Sequence, residues 1–219
     1  MSDKLWREVR VVVFDVGETL IDETRQWGEW ADWLGVPRFT FFAALGGVIA
    51  RGGHHRGVFE LFRPGFDIAA ARRQRFAEGW RDLFAPADVY PDALPAIRAL
   101  RDRGFKIGIA GNQPAEATKS LATCGLDADF IVTSEELGFQ KPDPRFFQAI
   151  LTLAGESDPH CIAYVGDRID NDVIPAIEAG MVSVFIRRGP WSVLQRSNQQ
   201  GTADAEITSL LELPAFFGR

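Results

Sequence analysis

Thiols are scarce: 219 residues hold two cysteines, Cys124 and Cys161, far apart and in neither a C-x-x-C pair nor a metal-ligand spacing. That excludes a local redox pair or a thiolate metal centre, and a reduced, cytoplasmic setting fits. Positive charge is also short, with 24 Lys and Arg against 30 Asp and Glu and a formal charge of -6. Overall electrostatics gives nucleic acid no help, so no nucleic-acid partner is expected. An anionic small molecule is not excluded, because a local cation or metal can outweigh the net charge. No apolar run has the length of a membrane span, and residues 1–10 lack the apolar stretch of a signal peptide. No membrane partner is therefore expected. Internal repeats and low-complexity stretches are missing too. What is present is a chain 46% hydrophobic, long enough for one large core or for a core with an insert.

Short, continuous apolar runs at 9–14, 106–110, 130–132, 161–165 and 182–186 read as strands buried on both faces. Helical patterns lie between them. Residues 92–103 carry Leu94, Ile97, Ala99 and Leu100 at helical spacing, with Gly104 as a stop. Pro114 opens a helix that ends at Gly125, and helices over 144–154 and 173–179 stop at Gly155 and Gly180. This alternation predicts an α/β fold, a doubly wound parallel sheet. Ligands of such sheets sit beyond the carboxyl ends of the strands.

Residues 22–88 break the alternation. Trp27, Trp30 and Trp33 recur every three residues, and Phe39, Phe41, Phe42 and Leu45 follow. Phe59, Leu61 and Phe62, then Phe76, Trp80, Leu83 and Phe84, suggest two more helices, with breaks at Gly52-Gly53 and Pro64-Gly65. The expected organisation is a core of residues 1–21 and 89–219 with a four-helix insert over 22–88, returning through a hinge at 86–91. The tryptophan stripe reads as core of the insert or as a substrate platform. Its aromatic content is compatible with a less polar substrate or a homodimer through the insert, and equally with core packing. The tail from 189 to 201 reads as polar loop.

Four polar clusters stand at or beyond strand ends: Asp15-Val16-Gly17-Glu18-Thr19, Gly111-Asn112, Lys141-Pro142, and Gly166-Asp167 with Asp170 and Asp172. A carboxylate that attacks phosphorus needs positive charge nearby, which a lysine and a divalent cation held by carboxylates can supply. In this order the clusters resemble the four active-site motifs of the haloacid dehalogenase-like (HAD) hydrolases, from Val11 to about Arg187. The resemblance implies a Rossmann-like HAD core with an α-helical cap of the C1 type. It makes Asp15 the nucleophile and sets Mg²⁺ on Asp15, Asp167 and the backbone carbonyl of Gly17. Lys141 would balance charge on the transferring phosphoryl group, and Asp172 would orient Lys141 or a metal-bound water. Thr19, Gly111 and Asn112 are the expected substrate contacts, Thr19 either bonding the phosphoryl group through its N–H or capping the turn. Arg51 and Arg56, flanking His54 and His55 in a Gly-rich loop, would add cations from the cap.

Two positions depart from the family. Its phosphatases carry a second aspartate, the acid–base group, where this chain has Gly17, and Ser or Thr where it has Gly111. General acid–base catalysis is worth roughly 100- to 10,000-fold. Either another acid serves, with Glu18, His54 and His55 as candidates, or turnover is lost; Gly17→Asp is expected to raise the rate. Asp22 and Glu23 read first as hinge residues and only second as catalysts, and Arg168 as an anion contact or a surface ion pair. The expected function is a Mg²⁺-dependent phosphatase acting on a small phosphorylated metabolite through an aspartyl-phosphate. The alternatives are a catalytically weakened member that binds a metabolite or partner, and a 2-haloacid dehalogenase. Dehalogenases of the family carry a non-acidic residue at Asp167, so its presence argues against the last.

Overall fold

The computed structural model describes residues 3–81, 84–195 and 203–217. Six parallel strands, β1 (Val11–Phe14), β2 (Lys106–Gly111), β3 (Phe130–Thr133), β4 (Ile162–Gly166), β5 (Val182–Ile186) and β6 (Ala205–Ile207), form one sheet in the order β3-β2-β1-β4-β5-β6. β1 is buried throughout because both faces are covered. Val12 and Phe14 pack with Ile97, Leu100 and Leu121 on one side, and Val11 and Val13 with Phe146, Phe147 and Ile150 on the other. Full burial of side chains of this size is worth about 1.5–3 kcal/mol each, which fixes β1 at the centre. Strand order reverses there, so β1 and its neighbours β2 and β4 deliver their carboxyl ends to one crevice.

Between β1 and the return segment at 86–91 come four helices, Thr24–Leu34, Arg38–Ala50, Gly57–Phe62 and Ile68–Ala77, and a fifth, Ala93–Arg101, then leads into β2. The first four share an aromatic and aliphatic cluster that includes Trp30, Phe41, Leu45 and Phe59. Arg75 is buried in this unit, its guanidinium 4.0 Å from the Trp30 ring centroid and donating to the Glu29 carbonyl. The chain leaves the sheet and returns through adjacent segments. Ile21 pairs antiparallel with Val89, the Asp22 N–H bonds the Asp88 carbonyl at 2.8 Å, and the Tyr90 N–H bonds the Leu20 carbonyl at 2.9 Å. Arg25 clamps the Asp88 carboxylate through Nε at 2.8 Å and a terminal nitrogen at 2.6 Å.

Two local expectations are corrected. The fourth helix opens at Asp67, whose side chain accepts the Ala70 N–H, and ends at Ala77. Gly79, at φ 93°, then turns the chain, so Trp80 and Phe84 lie beyond the helix; Leu83 lies outside the described residues. In the tail, Gly189–Leu194 is a helix rather than loop. Pro190 starts it, and Trp191 is buried in the cluster of the four helices. Residues 196–201 of that expected loop lie outside the described residues. Among the described residues, no single helix is long and apolar enough to cross a membrane.

Candidate active site

Asp15 follows the last residue of β1, and its N–H continues the ladder to the Val165 carbonyl of β4. A turn then folds back on itself: the Leu20 and Ile21 N–H groups bond the Val16 carbonyl, and Glu18 takes φ 53°, an uncommon conformation for a residue with a side chain. Lys141, 2% exposed, places Nζ 2.6 Å from Asp15 Oδ1 and 2.5 Å from Asp172 Oδ1. Burial opposes charge on this lysine, but Asp15 and Asp172 outweigh it and raise its pKa well above the ordinary value. Asn112 fixes the lysine backbone from β2: its amide donates to the Lys141 carbonyl at 2.9 Å, and its oxygen accepts the Lys141 N–H at 2.8 Å.

Asp167, just past β4, is buried, and its Oδ2 has no hydrogen-bond partner among the described residues. Burial, then repulsion from Asp172 and Asp15, pushes its carboxyl well above the usual carboxylate range. Asp172 is pushed up to about 6 by burial, against the pull of Lys141. Ligand oxygens of Asp15, Asp167 and Asp172 lie within 4.8 Å of one another. A buried carboxylate oxygen without a donor is costly. Three hard oxygen donors around it fit a divalent cation of the Mg²⁺ type. The sequence reading named Asp15, Gly17 and Asp167 as ligands; the structure adds Asp172 to that neighbourhood and places Gly17 in the lining of the cavity beside it.

That cavity, about 100 Å³, lies between the strand ends and the four helices. Asp15, Gly17, Asn112, Lys141 and Asp167 form its floor; Arg56, Arg72, Arg168 and the rings of Trp27, Phe59 and Trp191 form its walls. Arg56 is thus brought to the site, whereas Arg51 follows the Arg38–Ala50 helix and does not line the cavity. Thr19 is fully buried beneath the turn, outside the cavity lining, its hydroxyl without a partner among the described residues. Gly111 leaves room for Asp15: a Cβ there would stand 2.8 Å from Asp15 Oδ1. Arg168 both lines the cavity and pairs with Asp170 at 2.8 Å.

The candidate replacement acids separate clearly. Glu18 turns away from the cavity, accepting the Tyr90 hydroxyl at 2.7 Å and the Glu23 N–H at 3.0 Å. His54 is exposed and bonds the Arg56 N–H. His55 lines the cavity, wedged edge-on between Trp27 and Trp191 at centroid distances of 5.6 Å. One of the two residues read as a hinge, Glu23, also enters the site. Glu23 lines the cavity, its Oε2 accepts the Trp27 indole N–H at 3.1 Å, and its Oε1 stands 2.6 Å from where a Cβ on Gly17 would be. Burial and the neighbouring Glu18 carboxylate push its carboxyl up to about 7.

Known proteins resemble this chain in sequence and in shape. Glyceraldehyde 3-phosphate phosphatase of Methanopyrus kandleri is 37% identical over 59% of this chain and 57% of its own. The corresponding figures for phosphoserine phosphatase of Thermus thermophilus are 31%, 70% and 62%. The chain therefore spans between about half and two thirds of the length of such relatives. A HAD phosphatase from Thermococcus onnurineus superposes with TM-score 0.60 at 25% identity, over 96% of this chain and 98% of that one. The model of the haloacid dehalogenase-like hydrolases matches residues 9–180, a span that begins just before β1 and takes in the lysine and all three converging aspartates. Sequence, sheet order and the meeting of those side chains agree, and the chain belongs to the haloacid dehalogenase-like hydrolase family.

Proposed function

We propose that this chain hydrolyses phosphate monoesters of small metabolites, with Asp15 as nucleophile and Mg²⁺ as cofactor. The observation that carries the reading is the buried Lys141 ammonium between Asp15 and Asp172, beside an Asp167 oxygen that has no partner among the described residues. Asp15, Asp167, Asp172 and the Gly17 carbonyl are the groups available to hold the cation. When bound, it neutralises charge on the phosphoryl oxygens and lets two anions approach.

The remaining chemistry belongs to the chain. A carboxylate oxygen of Asp15 attacks phosphorus and forms an acyl phosphate, which water then opens. Lys141 compensates the charge that gathers on the transferring group, and its two ion pairs hold it there before substrate arrives. Asn112 sets the position of Lys141 through the backbone. Arg56, Arg72 and Arg168 on the cavity wall suit an anionic substrate, and the cavity volume suits a small one. The phosphatase names of the relatives support the same class. The helices of 22–88 serve as a cap that closes this space from water and selects the substrate.

The test is turnover of acetyl phosphate and of a panel of phosphorylated metabolites with and without Mg²⁺. Activity is expected with Mg²⁺, to vanish in EDTA, and to fall to background in Asp15→Asn together with loss of the phosphorylated protein. EDTA-insensitive halide release from 2-haloacids, without phosphate release, would replace this reading with carbon–halogen hydrolysis.

A further inference from the structure

On the phosphatase reading above, we propose that Glu23 is the acid–base residue of this site, protonating the departing alcohol oxygen and later taking a proton from the attacking water. The need is chemical. A simple alcohol leaves phosphorus poorly as an alkoxide, so a positioned proton donor is worth a large factor. Gly17, next to the nucleophile, has no side chain to give one.

The other cavity groups are committed elsewhere or unsuited. Asp15 and Lys141 bond each other, and Asp167 faces the converging acids. The arginines do not release protons. His55 is wedged between two tryptophan rings. Glu18 is turned toward Tyr90. Among the described residues, Glu23 alone brings a carboxyl to Gly17 from outside the β1 turn, filling the space into which a side chain at position 17 would grow.

Its placement is built. The Glu23 N–H bonds Glu18 Oε1, and the Trp27 indole holds Oε2 one helical turn later, so the carboxyl cannot swing freely into the cap. Glu18 is itself fixed by the Tyr90 hydroxyl. The conformation of Glu18 at φ 53° thus does work at a distance: it turns a carboxylate away from the cavity to seat the one that enters it.

The steps balance. As Asp15 forms its bond to phosphorus and the bond from phosphorus to the alcohol oxygen breaks, the Glu23 carboxylic acid passes its proton to that oxygen and becomes a carboxylate. In the second half, a water oxygen attacks phosphorus, Glu23 takes the water proton, and the bond from phosphorus to the Asp15 oxygen breaks. Phosphate leaves, and both carboxyl groups return to their starting states.

The same geometry revises the expected gain from Gly17→Asp. A Cβ at position 17 would meet the Glu23 carboxylate at 2.6 Å, so the single substitution crowds the site. The informative variant moves the acid from one residue to the other, as Gly17→Asp with Glu23→Ala.

The experiment compares the Mg²⁺-loaded wild type, Glu23→Gln, Glu23→Ala and Gly17→Asp/Glu23→Ala on p-nitrophenyl, m-nitrophenyl and p-methoxyphenyl phosphates, whose leaving groups grow steadily more basic. Phosphorylation of the intact protein by acetyl phosphate is read in parallel by mass spectrometry. Glu23→Gln should lose up to about 100- to 10,000-fold in kcat/KM on the most basic leaving group, and progressively less on the better ones. It should still be phosphorylated by acetyl phosphate and should accumulate that form, because its hydrolysis lacks a base. The double variant should turn over p-methoxyphenyl phosphate faster than Glu23→Ala. An active wild type with Glu23→Gln equally active, or slowed by one constant factor on every leaving group without accumulating phosphoprotein, overturns the assignment to Glu23 alone. A wild type that neither turns over nor becomes phosphorylated overturns the phosphatase reading and this assignment with it.

Discussion

His55 shows how one side chain can record its surroundings. Its ring sits edge-on to Trp27 and Trp191, and burial, then His54, Arg168 and Arg56, push the imidazole pKa down to about 2, against a smaller pull from Asp170. The folded chain therefore keeps His55 neutral, while the unfolded chain protonates it near the ordinary value of about 6.5. Because the unfolded state binds the proton first, this contribution to stability is full above about pH 6.5 and is lost as pH falls towards the folded value. The melting temperature of wild type should thus decline more steeply between about pH 7 and pH 5 than that of His55→Phe, which keeps an aromatic edge for both tryptophans; parallel slopes in a pH series of melting curves would contradict this. At this scale the sequence was legible where chemistry followed a strand. Asp15, Asn112 and Asp167 each come at or just past a strand end, and the structure brings them with Lys141 to one cavity. Glu23 was not legible. Its approach to Gly17 depends on a turn with a positive φ at Glu18 and on an indole in the following helix, and no spacing rule encodes either.

The four helices of the insert owe their cohesion to rings and to a buried cation among them. Arg75 is 1% exposed, lies over Trp30 at 4.0 Å and Trp80 at 5.1 Å, and reaches the Glu29 carbonyl, so it joins the fourth helix to the first. Arg75→Ala removes the packed stem as well as the charge and should cost about 3 kcal/mol of stability, read by denaturant unfolding; a loss within experimental error would show that the helices hold without it. The element boundaries that could be read were those marked by glycine and proline. Gly155, at φ 74°, ends the Pro144–Ala154 helix as its place in the sequence suggests. Aromatic spacing misled at Trp80 and Phe84, since rings recur in packed coil as readily as in helix. Composition misled at Gly189–Leu194, where a polar, Gly-Pro start conceals a helix whose one buried ring, Trp191, reaches the cap cluster.

For the molecule as a whole, the crevice gathers acids. Three carboxyl groups converge beside one ammonium, and a cation bound among them would be held only in the folded state. Mg²⁺ at about 100 times its dissociation constant should therefore stabilise by about 2.7 kcal/mol, raising the melting temperature by roughly 5–10 °C. EDTA should reverse the shift and Asp167→Asn should abolish it; an equal shift in that variant would place the cation elsewhere. The parallel sheet and the insertion of a helical unit were readable because buried parallel strands and amphipathic helices have different periods. Substrate identity was not, because the cavity wall is assembled from segments distant in sequence. The neighbouring exit and return points have an evolutionary corollary. Leu20 to Asp22 and Asp88 to Tyr90 are stitched to each other, so the stretch between them can be exchanged for another of different length without prising the sheet apart, loop closure growing costlier only slowly. Such a transplant would spare Asp15 and Lys141 yet carry off Glu23. With Glu23 as the proposed proton donor, a lineage that traded this stretch at the seam would have to relocate that role in the same event, and Gly17 leaves a place for it.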